Sequence, residues 1–249
     1  MMNPAEFANI ANAEAEFWWY RGMRRIMFRL LDPVVEGRAF QRVLEAGCGT
    51  AYFAKVLAER YGWPVVPVDL GWEGLARGRR IGVPRLTQAD IARLPFPARA
   101  FDAVISMDVI VHFPRGEEDR PAEELVRVLR PGGLLIVRVS ALDVLRSRHS
   151  EFASERQRFT RARLCDLFRK QGVRILRATY ANSLLLPVAF AKFRVWEPLL
   201  GRPPASGVHP VAPWLDSLLG SVLALESACL GTGANFPLGQ SVILIGEKD

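Results

Sequence analysis

The chain has 249 residues, 50% of them hydrophobic and 24% charged, so it carries enough apolar material for a sizeable core and is not disordered throughout. Three cysteines, Cys48, Cys165 and Cys229, form no CxxC pair and no cysteine–histidine cluster, which argues against a disulfide framework or a metal site and favours a reducing, cytoplasmic setting. The net charge of +7 suggests a polyanionic partner, but the arginines are spread along the chain, so no nucleic-acid partner is expected.

The first thirty or so residues favour a helix. Asn3-Pro4 is a start signal and Asp32-Pro33 a stop signal, which predicts N-terminal helices within residues 4–31. The chain begins with acids and lacks a basic stretch ahead of an apolar one, so we expect no secretory signal. Apolar side chains recur at helical spacing through Phe7, Ile10, Phe17, Met23, Ile26, Met27 and Leu30. The run 17–20 is Phe-Trp-Trp-Tyr, more rings than one helix face can bury, so some of them must contact another element or a ligand.

From residue 42 onward, short apolar runs alternate with helical stretches, which is typical of a parallel sheet wound by crossover helices. The predicted strands cover 43–47, 65–69, 85–90, 101–108 and 133–141, and the helices between them cover 50–61, 72–81 and 119–129. A helix over 160–170 precedes a sixth strand over 172–182, and residues 240–247 are the seventh. The pattern predicts an α/β fold with a seven-stranded, doubly wound sheet.

A long insertion separates the sixth and seventh strands. It runs from residue 183 to 239, where a hairpin needs only a few residues. Two apolar stripes at helical spacing predict a helix each: Leu186, Phe190, Phe193, Trp196 and Leu200, then Leu215, Leu218, Leu219, Val222, Leu225 and Leu230. Charged residues interrupt both stripes, so neither predicts a membrane span. We expect a helical cap on the main sheet.

The stretch 43–51 reads as an apolar strand, a glycine-rich turn and the start of a helix. Gly47 and Gly49 allow the backbone to approach a ligand closely, and the helix start directs free N–H groups at it. Asp69 ends the second strand, where a carboxylate can accept from two ribose hydroxyls. A dinucleotide fingerprint has a third glycine, which is a tyrosine here, and Glu45 would repel a pyrophosphate but suits a ligand with an ammonium group. S-adenosylmethionine is therefore favoured over a nicotinamide dinucleotide.

These elements resemble the class I S-adenosylmethionine-dependent methyltransferases over roughly residues 40–180 and the final strand. The family's first motif, an acid followed by spaced glycines, is matched except at Ala51, and Asp69 matches its ribose-binding acid. Three later segments match in the family's order: 88–96 the adenine-binding element, 101–104 the fourth strand, and 127–133 the turn into the fifth. The resemblance implies a Rossmann-like, mostly parallel sheet with an antiparallel last strand, S-adenosylmethionine as cofactor, S-adenosylhomocysteine as product, and a small-molecule acceptor.

The resemblance also implies which residues form the site. The expected cofactor-binding residues are Glu45, Gly47, Cys48, Gly49, Asp69, Leu70, Asp90, Ile91 and Met107. The family covers its acceptor pocket with an N-terminal helix and with insertions, which places the rings at 17–20 near that lid. The expected substrate-binding residues are Trp18, Trp19, Tyr20, Asp108 and Arg148. Simple packing of the rings, and a helix cap at Asp108, are the alternatives.

Catalysis of methyl transfer can come from positioning alone, because the reaction is an in-line displacement, so a base is not obligatory. For a hydroxyl acceptor His112 is the first candidate base, since it follows the fourth strand at the edge where ligands bind. The alternative is a histidine that only packs or hydrogen-bonds there. His149, after the fifth strand, is the second candidate, and His209 is expected to be exposed.

Two other functions remain open. A methyltransferase acting on RNA or DNA fits the basic charge, although the motifs of base methylation are absent. A non-catalytic protein that binds S-adenosylmethionine at a membrane surface fits the apolar cap, which could alternatively line a pocket for a lipophilic acceptor. Each function is compatible with a single domain over 1–249, whose oligomeric state stays open. Its parts are an N-terminal lid (1–35), a cofactor core (40–182 and 240–249) and the cap (183–239).

Overall fold

The computed structural model describes residues 3–201, 203–208 and 210–249, and its centre is a seven-stranded sheet. The strands are β1 (Val43–Ala46), β2 (Val65–Asp69), β3 (Thr87–Gln88), β4 (Phe101–Met107), β5 (Leu129–Ser140), β6 (Val173–Ala181) and β7 (Ser241–Lys248). Their order across the sheet is β3-β2-β1-β4-β5-β7-β6. The first five strands pair in parallel, whereas β7 lies antiparallel to both of its neighbours. This confirms the predicted α/β fold with its antiparallel last strand.

Helices cover both faces of this sheet, which is why its central parallel strands read as unbroken apolar runs. They are α3 (Tyr52–Tyr61), α4 (Trp72–Arg80), α5 (Asp119–Val128), α6 (Arg148–Phe152) and α7 (Arg161–Arg169). One half of the core joins the sheet to α5 and α7 through residues such as Leu125 and Phe168. The other half joins it to α3 and to helices from the two ends of the chain, through residues such as Ile26, Leu57 and Leu223.

Two strands differ from their predicted bounds by more than one residue at an end. The third strand has two residues instead of six, because Arg85 before it has a left-handed backbone (φ 60°) and a turn follows in which the Asp90 carboxylate accepts from Ala92 N. The fifth strand begins four residues early, at Leu129, because this residue already pairs with Phe101 of β4.

The N-terminal segment forms two helices, α1 (Pro4–Ala13) and α2 (Trp18–Val35), as predicted for N-terminal helices, but the break between them was not predicted. The chain is extended at Phe17 (φ −62°, ψ 133°), and Arg24 of α2 donates to the carbonyls of Glu14 and Ala15, which stabilises the break. The predicted stop at Asp32-Pro33 is wrong. Pro33 lies in the last turn of α2, where a missing N–H removes little of the helix hydrogen bonding.

The insertion forms two helical arms. The first is continuous over residues 186–200 and consists of α8 (Leu186–Ala191), a π-helical turn (Lys192–Trp196) and α9 (Glu197–Leu200). The second is α10 (Pro213–Gly231), which runs parallel to α2. A side chain at Gly22 of α2 would begin only 2.3 Å from Leu223 of α10, so the close packing of the two helices requires a glycine there.

Among the described residues, one helix, α10, is long and apolar enough by composition to cross a membrane, with a mean hydropathy of 1.2. Its two acids are nevertheless bound by the protein. Asp216 accepts from Trp18 N and pairs with Arg21, and the buried Glu226 accepts from the backbone at 183 and 184. These hydrogen bonds hold α10 against α2 and against the residues just before α8.

Candidate active site

The glycine-rich turn after β1 has a backbone that few residues other than glycine can adopt. Gly47 has φ +82°, and a side chain there would begin 2.1 Å from Val109. The N–H groups of Gly47 and Cys48 both donate to Val68 O of β2 at 2.8 Å. Ala51, which replaces the family's third glycine, still has the left-handed backbone (φ 58°) that glycine adopts without strain.

Asp69 joins this turn to the next one. One carboxylate oxygen accepts from Gly49 N and the other from Gly71 N, each at 2.7 Å. Burial raises the pKa of Asp69, while the two N–H donors oppose that rise. Each carboxylate oxygen keeps a second lone pair, so the group can still accept from ribose hydroxyls. The next side chain, Leu70, is exposed beside it.

Two further carboxylates lie close to the turn. Glu45 is buried, and its pKa is raised to about 8, mainly by burial and in smaller part by the negative charges of Asp69 and Glu14. Its Oε2 atom has no hydrogen-bond partner in the described part of the chain. Glu14, from the break between α1 and α2, accepts from the Thr50 hydroxyl, and burial raises its pKa to about 7. Three acids that are costly to ionise together surround one small turn.

This arrangement fits S-adenosylmethionine. Its ammonium and sulfonium groups are cations, and a cation beside the turn would stabilise ionised carboxylates that otherwise repel one another. The unpaired Glu45 oxygen is the observation that carries this fit, because a buried polar atom without a partner costs free energy. Glu45 and Asp69 were predicted for this site, whereas Glu14 was missed.

The predicted adenine-binding residues lie at the neighbouring strand ends. Asp90 is exposed and uses one oxygen to accept from Ala92 N at 2.8 Å, which leaves the other oxygen free. Ile91 is buried beside it, and Met107 lies partly buried at the end of β4. Their contacts with adenine stay a prediction.

Helix α1 covers the glycine turns. The Phe7 ring is buried over Gly71 and Gly74, where an added side-chain carbon would begin 2.5 Å and 2.7 Å from it. The neighbouring Glu6 is also buried, and it accepts from Ser206 Oγ of the cap at 3.0 Å. An N-terminal helix thus lies over these turns through residues of α1, ahead of the aromatic run, and its role as a lid stays a prediction.

Part of the aromatic run does meet charged residues at the strand ends. Asp108, with a left-handed backbone (φ 57°), pairs with Arg138 of β5, and the Arg138 guanidinium lies 5.1 Å from the Trp19 ring centroid. Tyr20 packs edge-on against Trp19 at 5.0 Å. Burial raises the pKa of Tyr20, and the nearby carboxylates of α1 and the break add to that rise. The alternative of a helix cap at Asp108 is wrong, since its carboxylate binds Arg138.

Two of the predicted substrate-binding residues, Trp18 and Arg148, form hydrogen bonds with the insertion. Trp18 N donates to Asp216 of α10, and the Trp18 ring packs against Phe17. The Arg148 guanidinium donates to the Pro203 carbonyl, with Nε at 2.7 Å, and its backbone N–H donates to Glu197. Trp18 thus supports the packing of α2 on α10, and Arg148 joins α6 to the cap.

Two arginines that follow Arg148 in the chain, Arg158 and Arg163, form internal ion pairs. Arg158 is buried, pairs with Glu155 and donates to Ala141 O at 3.1 Å. Arg163 pairs with Glu118. A guanidinium held in this way is not free to bind an anion.

His112 follows β4 and has one ring nitrogen engaged. Its Nδ1 lies 3.1 Å from Ser154 O, and because a carbonyl only accepts, the neutral ring carries its proton on Nδ1. The Nε2 lone pair is then available to accept a proton. When it is charged, the His112 ring lowers the pKa of Asp69, so the two side chains lie within electrostatic reach of each other.

His149 is engaged differently. Its Nδ1 accepts from Gly207 N at 3.0 Å and lies 3.7 Å from Glu6 Oε1, and burial lowers its pKa. These contacts connect α6, the cap and α1, which favours a positional role, and a role as base stays a prediction. His209 lies outside the described residues.

A glycine turn, a ribose-type carboxylate and a cluster of acids at the carboxyl edge of a parallel sheet define a Rossmann-like protein that binds a nucleoside cofactor. Comparison with known proteins narrows this class. Residues 44–137 match the family model described as "Methyltransferase domain". A demethylmenaquinone methyltransferase from Mycobacterium sp. strain KMS is 32% identical over 193 residues, covering 75% of each chain. The chain belongs to the family of S-adenosylmethionine-dependent methyltransferases.

Two further relatives agree with this assignment. A "probable S-adenosylmethionine-dependent methyltransferase" from Mycobacterium tuberculosis is 34% identical over 129 residues, and the match spans 51% of this chain but only 44% of that protein. The crystal structure of an S-adenosylmethionine-dependent methyltransferase from Archaeoglobus fulgidus superposes with a TM-score of 0.60. It is 14% identical and covers 94% of this chain and 97% of its own, which shows a shared fold.

Proposed function

We propose that the protein transfers the methyl group of S-adenosylmethionine to an oxygen or nitrogen atom of a small, lipophilic acceptor. The observation that carries this proposal is the unpaired Glu45 oxygen, which lies with Asp69 at the ends of β1 and β2. The Asp108–Arg138 pair, with the Trp19 ring beside Arg138, lies at the ends of the neighbouring strands β4 and β5. The first group suits a cationic nucleoside, and the second suits an uncharged ring with a polar atom. The three free cysteines favour a reducing cytoplasm.

The chain's own residues would hold the cofactor by charge and by the shape of the turn. Glu45 and Glu14 would bind the ammonium end, Asp69 the ribose hydroxyls, and Asp90 with Ile91 the adenine. The bound cofactor supplies an electrophilic methyl group on a positively charged sulfur. Helix α1 would exclude water from above, which strengthens every electrostatic contact beneath it.

The acceptor end combines rings with a fixed ion pair. Trp19 and Tyr20 offer flat apolar surface, and the Asp108–Arg138 pair can orient a hydroxyl or carbonyl on that surface. During transfer the bond from sulfur to carbon breaks and a bond from carbon to the acceptor atom forms, and an acceptor hydroxyl must lose its proton. His112 Nε2 would take that proton. The resemblance to a quinone methyltransferase supports a lipophilic, ring-containing acceptor.

Transfer of a labelled methyl group tests the proposal. The protein is incubated with methyl-labelled S-adenosylmethionine and fractionated small-molecule extract, and products that gain one methyl group are identified by mass spectrometry. Asp69→Ala is the control, because loss of the ribose contacts should remove both cofactor binding in calorimetry and product formation. Cofactor binding without any methylated product would contradict the enzymatic proposal and leave a binding protein. Cofactor binding unaffected by Asp69→Ala would contradict the assigned site.

A further inference from the structure

The helical segment 186–200 exposes an unusually large number of apolar side chains. Its exposed large apolar side chains are Val188, Phe190, Val195, Trp196, Leu199 and Leu200, and Leu199 is 78% exposed. In the whole segment Ala189 is the one buried residue. Single exposed apolar residues need no explanation, but six on fifteen consecutive residues form a patch of the kind that contacts a partner.

The exposed charges on this segment are all positive. Lys192 and Arg194 are exposed between the apolar side chains. The segment's single acid, Glu197, is turned toward the protein, where it accepts from Arg148 N at 3.0 Å. The outer surface therefore presents apolar side chains and two cations, with no exposed carboxylate.

The residues just before this segment are bonded to α10, whose exposed side is also apolar. The start of α8 is fastened to α10 where Glu226 accepts from the backbone N–H groups at 183 and 184, and Leu225 beside it is 60% exposed. The exposed side of α10 also carries Trp214 and Leu218. A row of exposed arginines on α2 accompanies α10, at Arg21, Arg25 and Arg29, and the Arg29 side chain lies directly against Gly231.

We propose that this surface, residues 186–200 with the exposed side of α10, binds the surface of an anionic lipid bilayer. Tryptophan and leucine side chains that lie among lysine and arginine are the composition with which helices lie in the interface of a membrane. Charge decides between a bilayer and a second copy of this chain. A two-fold contact would bury Lys192 and Arg194 of both copies between patches that offer no exposed carboxylate, whereas anionic headgroups neutralise them.

The surface lies in the interface and does not cross it. Glu226 is buried and accepts from two backbone N–H groups just before α8, which holds α10 against that part of the chain. Inserting α10 across a bilayer would break these hydrogen bonds and bury a carboxylate in hydrocarbon. The proposal rests on the exposed surface of the cap and is independent of the methyl acceptor. It would bring the enzyme to the phase in which apolar acceptors dissolve.

Vesicle sedimentation with the full chain tests the proposal. Protein is mixed with vesicles of phosphatidylcholine, alone or with phosphatidylglycerol, at low and high salt. We expect binding to the vesicles that contain phosphatidylglycerol, much weaker binding to phosphatidylcholine alone, and release by salt, because each cation near the surface contributes about a fivefold factor. Absence of binding to both vesicles, or equal binding that salt does not change, would overturn the proposal.

Matched substitutions locate the surface. Leu199→Glu should weaken vesicle binding about tenfold or more, since it puts a charge where the leucine would bury apolar area in the bilayer. Leu238 is an exposed leucine outside both helices, and Leu238→Glu should change binding less than about twofold. The double variant Lys192→Glu and Arg194→Glu should weaken binding at least about 25-fold. The control for this double variant is the replacement of Arg79 and Arg80 of α4 by glutamate, which changes the net charge by the same amount.

Two measurements keep the test decisive. Circular dichroism of each variant shows whether it is folded, and only folded variants are compared. Sedimentation velocity reports the oligomeric state. A dimer that Leu199→Glu dissociates, together with no vesicle binding by the unmodified protein, would assign the patch to a second copy and overturn the proposal. Equal losses at Leu199→Glu and Leu238→Glu would also overturn it.

Discussion

Replacement of Glu45 by glutamine should make the protein more stable at alkaline pH while weakening its binding of S-adenosylmethionine. In the structure Glu45 is buried beside two other carboxylates, and its Oε2 atom lacks a partner. Glutamine has nearly the same shape and cannot ionise. The substitution therefore removes the charge and leaves the packing.

The magnitude follows from the pKa of Glu45. Burial raises it from the ordinary 4.5 to about 8, so the folded protein retains a proton that the unfolded chain releases. The stability associated with this proton is fully present below pH 4.5 and is lost as the pH rises through about 8. At about 1.4 kcal/mol per pH unit, the loss over this interval is about 5 kcal/mol. The glutamine variant should not show that loss.

Cofactor binding should depend on pH in the opposite direction. A cationic cofactor binds the ionised carboxylate best, so its affinity for the unmodified protein should rise by up to about tenfold per pH unit below the pKa of Glu45. The variant has no carboxylate to ionise at this position. Its affinity should be lower at high pH and should depend less on pH, with the remaining dependence due to Glu14, whose pKa is about 7.

Two assays check these expectations. Urea unfolding at a series of pH values gives the free energy of unfolding, and titration calorimetry gives the cofactor affinity over the same range. Glu16→Gln, an exposed glutamate in the same N-terminal region, is the control and should leave both pH profiles unchanged. Parallel stability profiles for the unmodified protein and Glu45→Gln would refute the reasoning, because the buried charge would then cost nothing.

Three further substitutions test other parts of the structure. Gly47→Val should abolish cofactor binding in calorimetry, because φ is +82° and the side chain would collide with Val109; retained affinity would contradict the assigned turn. His112→Ala should leave cofactor affinity unchanged and slow turnover about 10²-fold or more, and unaltered turnover would remove it as the base. Gly22→Val should lower the free energy of unfolding by about 2 kcal/mol by forcing α10 away from α2, whereas Gly220→Ala, where the nearest atom is 3.7 Å away, should not.

The sequence predicted the parts of the site that depend on local patterns. Strand, glycine turn and helix follow one another within ten residues around Gly47, and an acid at the end of the next strand is enough to predict Asp69. Both lie at the same edge of the sheet because carboxyl ends of parallel strands meet there. The helices of the insertion were predicted for the same reason, since apolar spacing is a local property.

Other parts of the site depend on contacts that sequence spacing does not encode. Glu14 meets Thr50 because the N-terminal segment breaks at residues 14–17, and uninterrupted helical spacing hid that break. Arg138 did leave a signal, as a charge within an otherwise apolar strand. Such a residue is buried only when it is paired, so its partner had to be an acid at a neighbouring strand end, and that acid is Asp108.

Helix α1 and the cap are joined by hydrogen bonds between residues that are far apart in the sequence. Glu6 of α1 accepts from Ser206, 200 residues further along the chain, and His149 accepts from Gly207 beside it. Because Phe7 of the same helix lies over the cofactor turns, a ligand that binds beneath α1 must displace that helix or approach from its side. Displacement of α1 would break the Glu6–Ser206 bond in the cap. Access to the cofactor turns therefore involves residues 203–208, which lie in the sequence between the two parts of the proposed membrane surface, the segment 186–200 and α10.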